Sequence, residues 1–331
     1  MRKLSRRYFL ACSSCLAGLA FEELTAARAT WAKLAVFGGA SVWTVAPPNI
    51  NFPTKPRDRL AVASWPFRAY IESPTNQWAR KKTQEPGMDL KDFAAMVVKR
   101  FNLHNIEPLA EHFRSVDTAY VQEFREAVEK AGSHVIDLPA GGRDSYYDPD
   151  PVKRKAAVES GKKWVDVARA LGSPSIRTHI AGARGVSPDV ERTAESLTQL
   201  ADYGAGKNVL ITLENDDLRT EDAFFLVKVI EKANHPWLRA LPDFCNSMLS
   251  GSAEFNYSAV AALFKDAYSI AHMKDAEVGD NGKVYTVDVA RTFAIAKRAG
   301  YRGYFSMEWE GKGDPYEGTQ KLIEESLKYL T

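Results

Sequence analysis

The chain has 331 residues, 45% of them hydrophobic and 26% charged, which excludes a disordered chain, a collagen-like repeat and a polytopic membrane protein. Its length leaves one large α/β domain or two ordinary ones open. Lys and Arg number 44 against 42 Asp and Glu, and removing the five basic and two acidic residues of positions 1–29 leaves 39 against 40. A near-neutral body offers no electrostatic reason to expect nucleic acid or an anionic membrane as partner.

The amino terminus reads as an address. Ser5-Arg6-Arg7-Tyr8-Phe9-Leu10 precedes an apolar, small-residue stretch at 11–21, and the combination resembles a twin-arginine export signal. Cleavage is expected after Ala29, with Ala46 as a second candidate behind the apolar stretch 34–46; a linker then runs to position 57. Such a signal implies a periplasmic or otherwise exported protein that crosses the membrane already folded. Cys12 and Cys15 lie inside it, so Cys245 alone remains in the mature chain and no intramolecular disulfide is available. Neither apolar stretch reaches the roughly 18 uncharged residues of a spanning helix, and the mature form is expected to be free of the membrane.

From residue 60 onward, strand-like runs alternate with longer amphipathic ones. Strands are predicted at 60–64, 103–108, 134–138, 175–179, 209–214, 239–243, 269–274 and 303–309. Helices are predicted at 89–100, 118–131, 151–171, 188–207, 221–233, 257–266, 287–299 and 315–330. Apolar residues at three- and four-residue spacing, such as Phe124, Ala127, Val128 and Ala131, support the helices. Gly132, Gly172 and Gly300 fall just past helices, and Pro151, Pro188 and Pro315 open them. Eight strand–helix units, joined by right-handed crossovers, fit a single closed (β/α)8 TIM barrel over residues 58–331, preceded by the export signal. An open doubly wound sheet is the alternative, but Trp65-Pro66-Phe67-Arg68 follows the first strand where that fold places a glycine-rich phosphate loop. The long polar loop 69–87 lies over the barrel mouth in this arrangement, as a lid or as a plain surface loop.

Four successive predicted strands end in a residue that binds hard or borderline divalent cations: Glu214, Asp243, His272 and Glu308, separated by 29, 29 and 36 positions. In a parallel barrel the carboxyl ends of the strands meet around one mouth, so these side chains can share one ion. Three oxygens and one nitrogen suit Mn²⁺ first, with Mg²⁺, Co²⁺ and Zn²⁺ also open. Each residue taken singly is ordinary, since a strand-end Glu is usually solvated or paired and a lone His usually structural. Their recurrence at equivalent places in four units makes one metal site the better reading.

These four, with Asn215 beside Glu214, the run His272-Met273-Lys274-Asp275 and the second-strand segment Asn105-Ile106-Glu107, resemble the xylose-isomerase-like barrel superfamily over about residues 58–330. That superfamily includes sugar epimerases, hydroxypyruvate isomerase, inosose dehydratase and the endonuclease four type of DNA repair enzyme. The resemblance implies that Glu214, Asp243, His272 and Glu308 hold one divalent ion, and that Glu214 and Glu308 exchange protons with substrate carbon from opposite faces. Physically, a cation that stabilises an enediolate lowers the carbon acidity barrier while a placed carboxylate removes the proton. One departure matters: those epimerases carry His three positions after the sixth-strand Asp, where this chain has Asn246, which hydrogen-bonds but carries no proton at neutral pH. With only six His in the chain, endonuclease activity, which in that family needs several more metal-binding histidines, is not expected.

Supporting residues have two readings each. Lys274 lies two residues after His272, so in a strand it points the same way; it serves an enediolate, or it pairs with Asp275 or Glu310. Arg177 and His179 meet a sugar hydroxyl or a carboxylate, or form an internal ion pair. Glu107 binds a sugar hydroxyl or orients a ligand, against a salt bridge to Arg68. Asn246 offers its amide to a substrate hydroxyl. Trp65 and Phe67 offer an apolar wall, with Trp309 nearby, against core packing. The leading reading is a divalent-metal-dependent isomerase or epimerase of an unphosphorylated sugar or keto-sugar, no phosphate-cradling loop being evident. A lyase, a dehydratase or an enzyme cleaving 3-keto-glycosides on the same site is the runner-up, and a non-catalytic sugar-binding protein the third. The expected partner is a small carbohydrate, with assembly into a homo-oligomer open.

Overall fold

Short apolar runs form parallel strands, and the amphipathic stretches between them form helices that cover the outside. The computed structural model describes residues 45–80 and 87–330. The Arg6-Arg7 signal motif, Cys12, Cys15, the candidate cleavage site at Ala29 and positions 81–86 of the polar loop lie outside the described residues. In chain order the elements are β1 (Leu60–Ala63), α1 (Phe93–Phe101), β2 (Asn105–Glu107), α2 (Thr118–Lys130), β3 (His134–Val135), β4 (Pro139–Gly141), α3 (Pro151–Leu171), β5 (Ser175–His179) and α4 (Val190–Lys207). There follow β6 (Leu210–Glu214), α5 (Ala223–Ala233), β7 (Leu238–Leu241), α6 (Ala253–Leu263), β8 (Ile270–Met273), β9 (Ala276–Val278), β10 (Val284–Thr286), α7 (Val289–Arg298), β11 (Tyr304–Met307) and α8 (Pro315–Tyr329). Among the described residues, no helix is long and apolar enough to cross a membrane.

The strands pair in two parallel arcs, β3-β2-β1-β11-β8 and β4-β5-β6-β7. The first strand pairs with the last, Leu60 beside Phe305, which is the register of a closed ring. One seam runs through the third barrel strand, predicted as a single run at 134–138. It is broken instead: Ile136 donates its N–H to Ile106 on the β2 side, while Leu138 accepts from Arg177 on the β5 side. Pro139 opens the second half, since it has no N–H to give a ladder. The other seam joins β7 to β8, where the His272 N–H bonds Pro242 O at 3.0 Å and the Phe244 N–H bonds His272 O at 3.1 Å. Asp243 and His272 are thereby bridged side by side.

Alternation along each strand sets what faces where. Val62, Ile106, Ile176, Met273 and Phe305 point outward into the main core beneath the helices, and Ala61, Ile136, Leu241 and Ile270 form a separate small cluster. On the parity of that inner cluster, Ile270 is followed by His272 and Lys274, and the partly buried Tyr304 by Ser306 and Glu308. An apolar plug thus lies below, and the polar side chains gather at the carboxyl ends.

Helix starts follow local chemistry. Asp117, Asp150, Asp189, Asp222, Asp288 and Asp314 each accept a first-turn backbone N–H, and Ser252 does the same for α6. Each such cap contributes about 1 kcal/mol. Helix α6 starts four residues before the predicted 257 because Ser252 caps it at Ala253. The antiparallel hairpin β9–β10 was not foreseen: its strands are three residues long, too short for alternation to register.

Candidate metal centre

Glu214 ends β6, Asp243 lies two residues past β7, His272 sits within β8 and Glu308 follows β11. All four are buried, and one ligand atom from each lies within 4.8 Å of the others. His272 Nδ1 is 2.7 Å from Glu214 Oε1 and 3.2 Å from Glu308 Oε2, while Nε2 is 2.8 Å from Glu107 Oε1. Burial works against charge on this ring, but Glu107, Glu214 and Glu308 outweigh it and hold the imidazole pKa well above its ordinary value.

Asp243 shows what the donor set is fitted for. Its Oδ1 accepts the N–H groups of Cys245 at 2.7 Å and Asn246 at 2.6 Å. Its Oδ2 is buried with no hydrogen-bond partner, Lys274 Nζ standing 3.7 Å away. Burial pushes this carboxyl up to about 7, Glu214 and Glu308 adding to the rise and Lys274 opposing it. An orphaned carboxylate oxygen beside two glutamates and an imidazole nitrogen is a donor set that fits a divalent cation.

The remaining predicted residues fall into two groups. Lys274 is drawn into the site, its Nζ 2.9 Å from Asn246 Oδ1, 3.0 Å from Glu308 and 3.1 Å from Glu277, a residue of the hairpin. It pairs with neither Asp275 nor Glu310, the two partners its sequence position suggested. Burial lowers its pKa, but Asp243, Glu308 and Glu277 raise it well above the ordinary value, so the ammonium is permanent. Asn246 spans Lys274 and Glu214, its amide nitrogen 3.3 Å from Glu214 Oε1. Arg177 holds Glu214 Oε2 at 2.6 Å and reaches Asp216 at 3.5 Å. Burial alone would raise the Glu214 carboxyl; Arg177 and His272 outweigh it and hold it well below the usual carboxylate range. His272 and Lys274 do the same for Glu308 against its burial.

A cavity of about 530 Å³ opens over these groups, lined by Trp65, Arg177, His179, Glu214, Asn246, Lys274 and Glu308. Trp65 is braced: its indole N–H donates to Glu310, and the Arg68 guanidinium lies 4.1 Å over its ring. Three expectations need correction. Glu107 does not line the cavity and does not pair with Arg68; at 0% exposure it lies behind His272, and Arg68 is taken by Glu310 at 3.1 Å. Phe67 is core, packed on Phe93, Phe101 and Tyr316. Trp309 has the opposite strand parity to Glu308 and packs against the outer core.

Sequence reasoning missed Asp216, Glu221 and Glu277. His179 Nδ1 is 2.8 Å from Glu221 Oε2 and 3.6 Å from Asp216 Oδ2. Asp216 lies two residues beyond Glu214, a parity signal that was available. Glu221 and Glu277 had none, being placed by a loop and by the hairpin.

The model of the family described as xylose isomerase-like TIM barrel matches residues 97–331. Among solved structures, a D-allulose 3-epimerase from Methylomonas sp. gives a TM-score of 0.62 at 16% identity, covering 85% of this chain and 100% of that one. A xylose isomerase-like TIM barrel protein from Mycobacterium smegmatis in complex with magnesium gives 0.60 at 14%, covering 82% and 98%. A D-psicose 3-epimerase with D-tagatose from Clostridium cellulolyticum H10 gives 0.58 at 15%, covering 82% and 96%. At such identities the likeness is one of fold. No curated protein matches the sequence. The family match spans most of the chain and agrees with the closed parallel ring and its strand-end cluster: this chain belongs to the xylose isomerase-like TIM barrel family.

Proposed function

We propose that this chain is a divalent-metal-dependent isomerase or epimerase of a sugar or keto-sugar. The observation that carries the reading is the convergence of Glu214, Asp243, His272 and Glu308, one ligand atom of each within 4.8 Å of the others, with Glu214 and Glu308 lining the cavity. A cation held by these four, Mn²⁺ first among the candidates, would stabilise negative charge developing on a carbonyl oxygen as the neighbouring carbon loses its proton. Glu214 and Glu308 line the cavity from strands three places apart around the ring. Both are held ionised, as a base must be. One takes the proton from carbon, leaving an enediolate; the other, once it has taken a proton from solvent, delivers it to the opposite face, which inverts the centre, and the first then gives its proton back to solvent. Lys274, charged and fixed, donates hydrogen bonds toward the same volume. Trp65, braced by Arg68 and Glu310, gives an apolar wall for a sugar face. The structures solved as D-allulose and D-psicose 3-epimerases support ketohexoses as the first substrates to try.

Elimination on the same site is the second reading. Asn246 favours it, because the amide bridges Glu214 and Lys274 and has no proton to exchange. The test is exchange in D2O: Mn²⁺-loaded protein with D-allulose or D-tagatose should place deuterium on the carbon beside the carbonyl. Glu214→Gln and Glu308→Gln should each lower that rate by at least about 100-fold. Product of unchanged mass indicates isomerisation and loss of a fragment elimination; no exchange across a panel of ketoses and keto-glycosides would sink both.

A further inference from the structure

We propose that His179, seated on Glu221, is a second acid–base centre of the cavity, donating a proton to an oxygen that departs from the sugar. The inference rests on the carbon-acid reading of the metal centre and names the substrate class, a keto-sugar with an O-linked group next to the carbon that loses its proton.

His179 closes β5, and its side chain is 34% exposed to the cavity. Behind it Glu221 is 1% exposed, with Oε2 2.8 Å from His179 Nδ1 and Oε1 accepting the Ile180 N–H at 2.7 Å. A buried carboxylate held through Oε1 by the Ile180 N–H, with Oε2 close to Nδ1 as an ion-pair partner, stabilises the ring when it is charged and leaves Nε2 for the cavity. Burial and Arg177 lower the His179 pKa, Glu221 and Asp216 raise it, and the net shift is upward.

The position of this pair is what the carbon-proton transfer leaves unexplained. Moving a proton between two faces of one carbon occupies Glu214 and Glu308. His179 stands beyond Arg177, which reaches both Glu214 and Asp216, so it serves a different atom of the substrate. Lys274 is held charged, leaving His179 as the imidazole lining the cavity among the described residues. The cavity also extends to Glu111, Pro139 and Trp164. Its volume lies within the range of sites that enclose whole small molecules, with room for a group attached to the sugar.

The step balances without oxidant or reductant. A glutamate carboxylate takes the proton from the carbon beside the ketone. The electron pair of that C–H bond forms a carbon–carbon double bond as the adjacent C–O bond breaks. The departing oxygen takes the Nε2 proton of His179, giving an unsaturated keto-sugar and an alcohol. Solvent then returns a proton to His179 and accepts one from the glutamate.

The test uses the Mn²⁺-loaded full chain, its His179→Gln and Glu221→Gln variants, and two probes: methyl and 4-nitrophenyl β-D-glucopyranosides carrying a ketone at C3. Methoxide needs a proton to leave and 4-nitrophenolate does not. His179→Gln should slow methanol release by at least about 100-fold and nitrophenolate release less than about fivefold, with deuterium exchange at C2 retained. Glu221→Gln, a positioning change, should show the same preference with smaller losses. Equal losses on both probes, or unchanged methanol release, would overturn the proposal while normal C2 exchange left the metal-centre reading standing. Absence of C2 exchange in the unaltered protein would overturn both. A second equivalent of bound Mn²⁺ that disappears in His179→Gln would also overturn it, making His179, Asp216 and Glu221 cation ligands.

Discussion

The carboxylates around His272 favour a charged ring with both nitrogens donating, whereas a cation held through Nδ1 would require a neutral ring with a single N–H. Nδ1 is turned toward Glu214 and Glu308, so in the neutral ring Nε2 is the nitrogen that donates to Glu107 at 2.8 Å. Glu107 is then a positioning residue, setting the tautomer and ring plane and making the other nitrogen more basic. Glu107→Gln keeps the shape and an acceptor but removes the charge. Mn²⁺ binding should weaken by about 10–100-fold in a calorimetric titration; unchanged affinity would reduce Glu107 to a packing residue. Its place at the end of the second predicted strand, within the segment Asn105-Ile106-Glu107 that carries the family resemblance, picked Glu107 out of the sequence. It could not reveal the partner, since Glu310, which captures Arg68, and His272, which receives Glu107, are more than 160 residues away.

Elements were legible where their signals are local. Aspartate caps and the left-handed residues after helices, Gly172 at φ 74° and Asn208 at φ 60° among them, mark helix ends within a residue or two. The strand that broke at Leu138 was illegible because its two halves pair with different distant neighbours, and the hairpin that carries Glu277 because its strands are only three residues long. Helix α8 gives a case where local propensity misleads. Replacing glycine by alanine inside a helix ordinarily stabilises by about 0.5–1 kcal/mol, yet a Cβ at Gly318 would clash with the indole ring of Trp309. Gly318→Ala should therefore destabilise, by about 1–3 kcal/mol as overpacking does, in a denaturant melt. A stabilised variant would mean that Trp309 swings away from α8.

At the scale of the whole molecule, the barrel makes a site readable because residues far apart in sequence share the carboxyl ends of one ring of strands. The metal-ligand candidates were found by that rule, and what the rule cannot reach is whatever loops bring in, such as Glu221 behind His179. The same geometry buries groups whose titration the whole fold must bear, and His112 is the clearest. The Leu109 N–H donates to Ser64 Oγ at 2.9 Å, leaving the hydroxyl proton to donate to His112 Nδ1 at 2.7 Å, which suits a neutral ring. Burial, assisted by Arg68, pushes the His112 pKa down to about 3, against about 6.5 in an unfolded chain. Between those values the unfolded state holds the extra proton, so stability rises with pH. The contribution is complete above about pH 6.5 and is lost as pH falls toward about 3. From about pH 6 to about pH 4 the loss approaches 1.4 kcal/mol per pH unit. Denaturant melts of the unaltered protein and His112→Gln over that range isolate the effect, because the other titrating groups cancel in the difference. The variant should start less stable at neutral pH, and the gap should narrow steadily on acidification. Parallel profiles would show that His112 takes up a proton in the folded barrel, and that the Ser64 hydrogen bond does not hold the ring neutral.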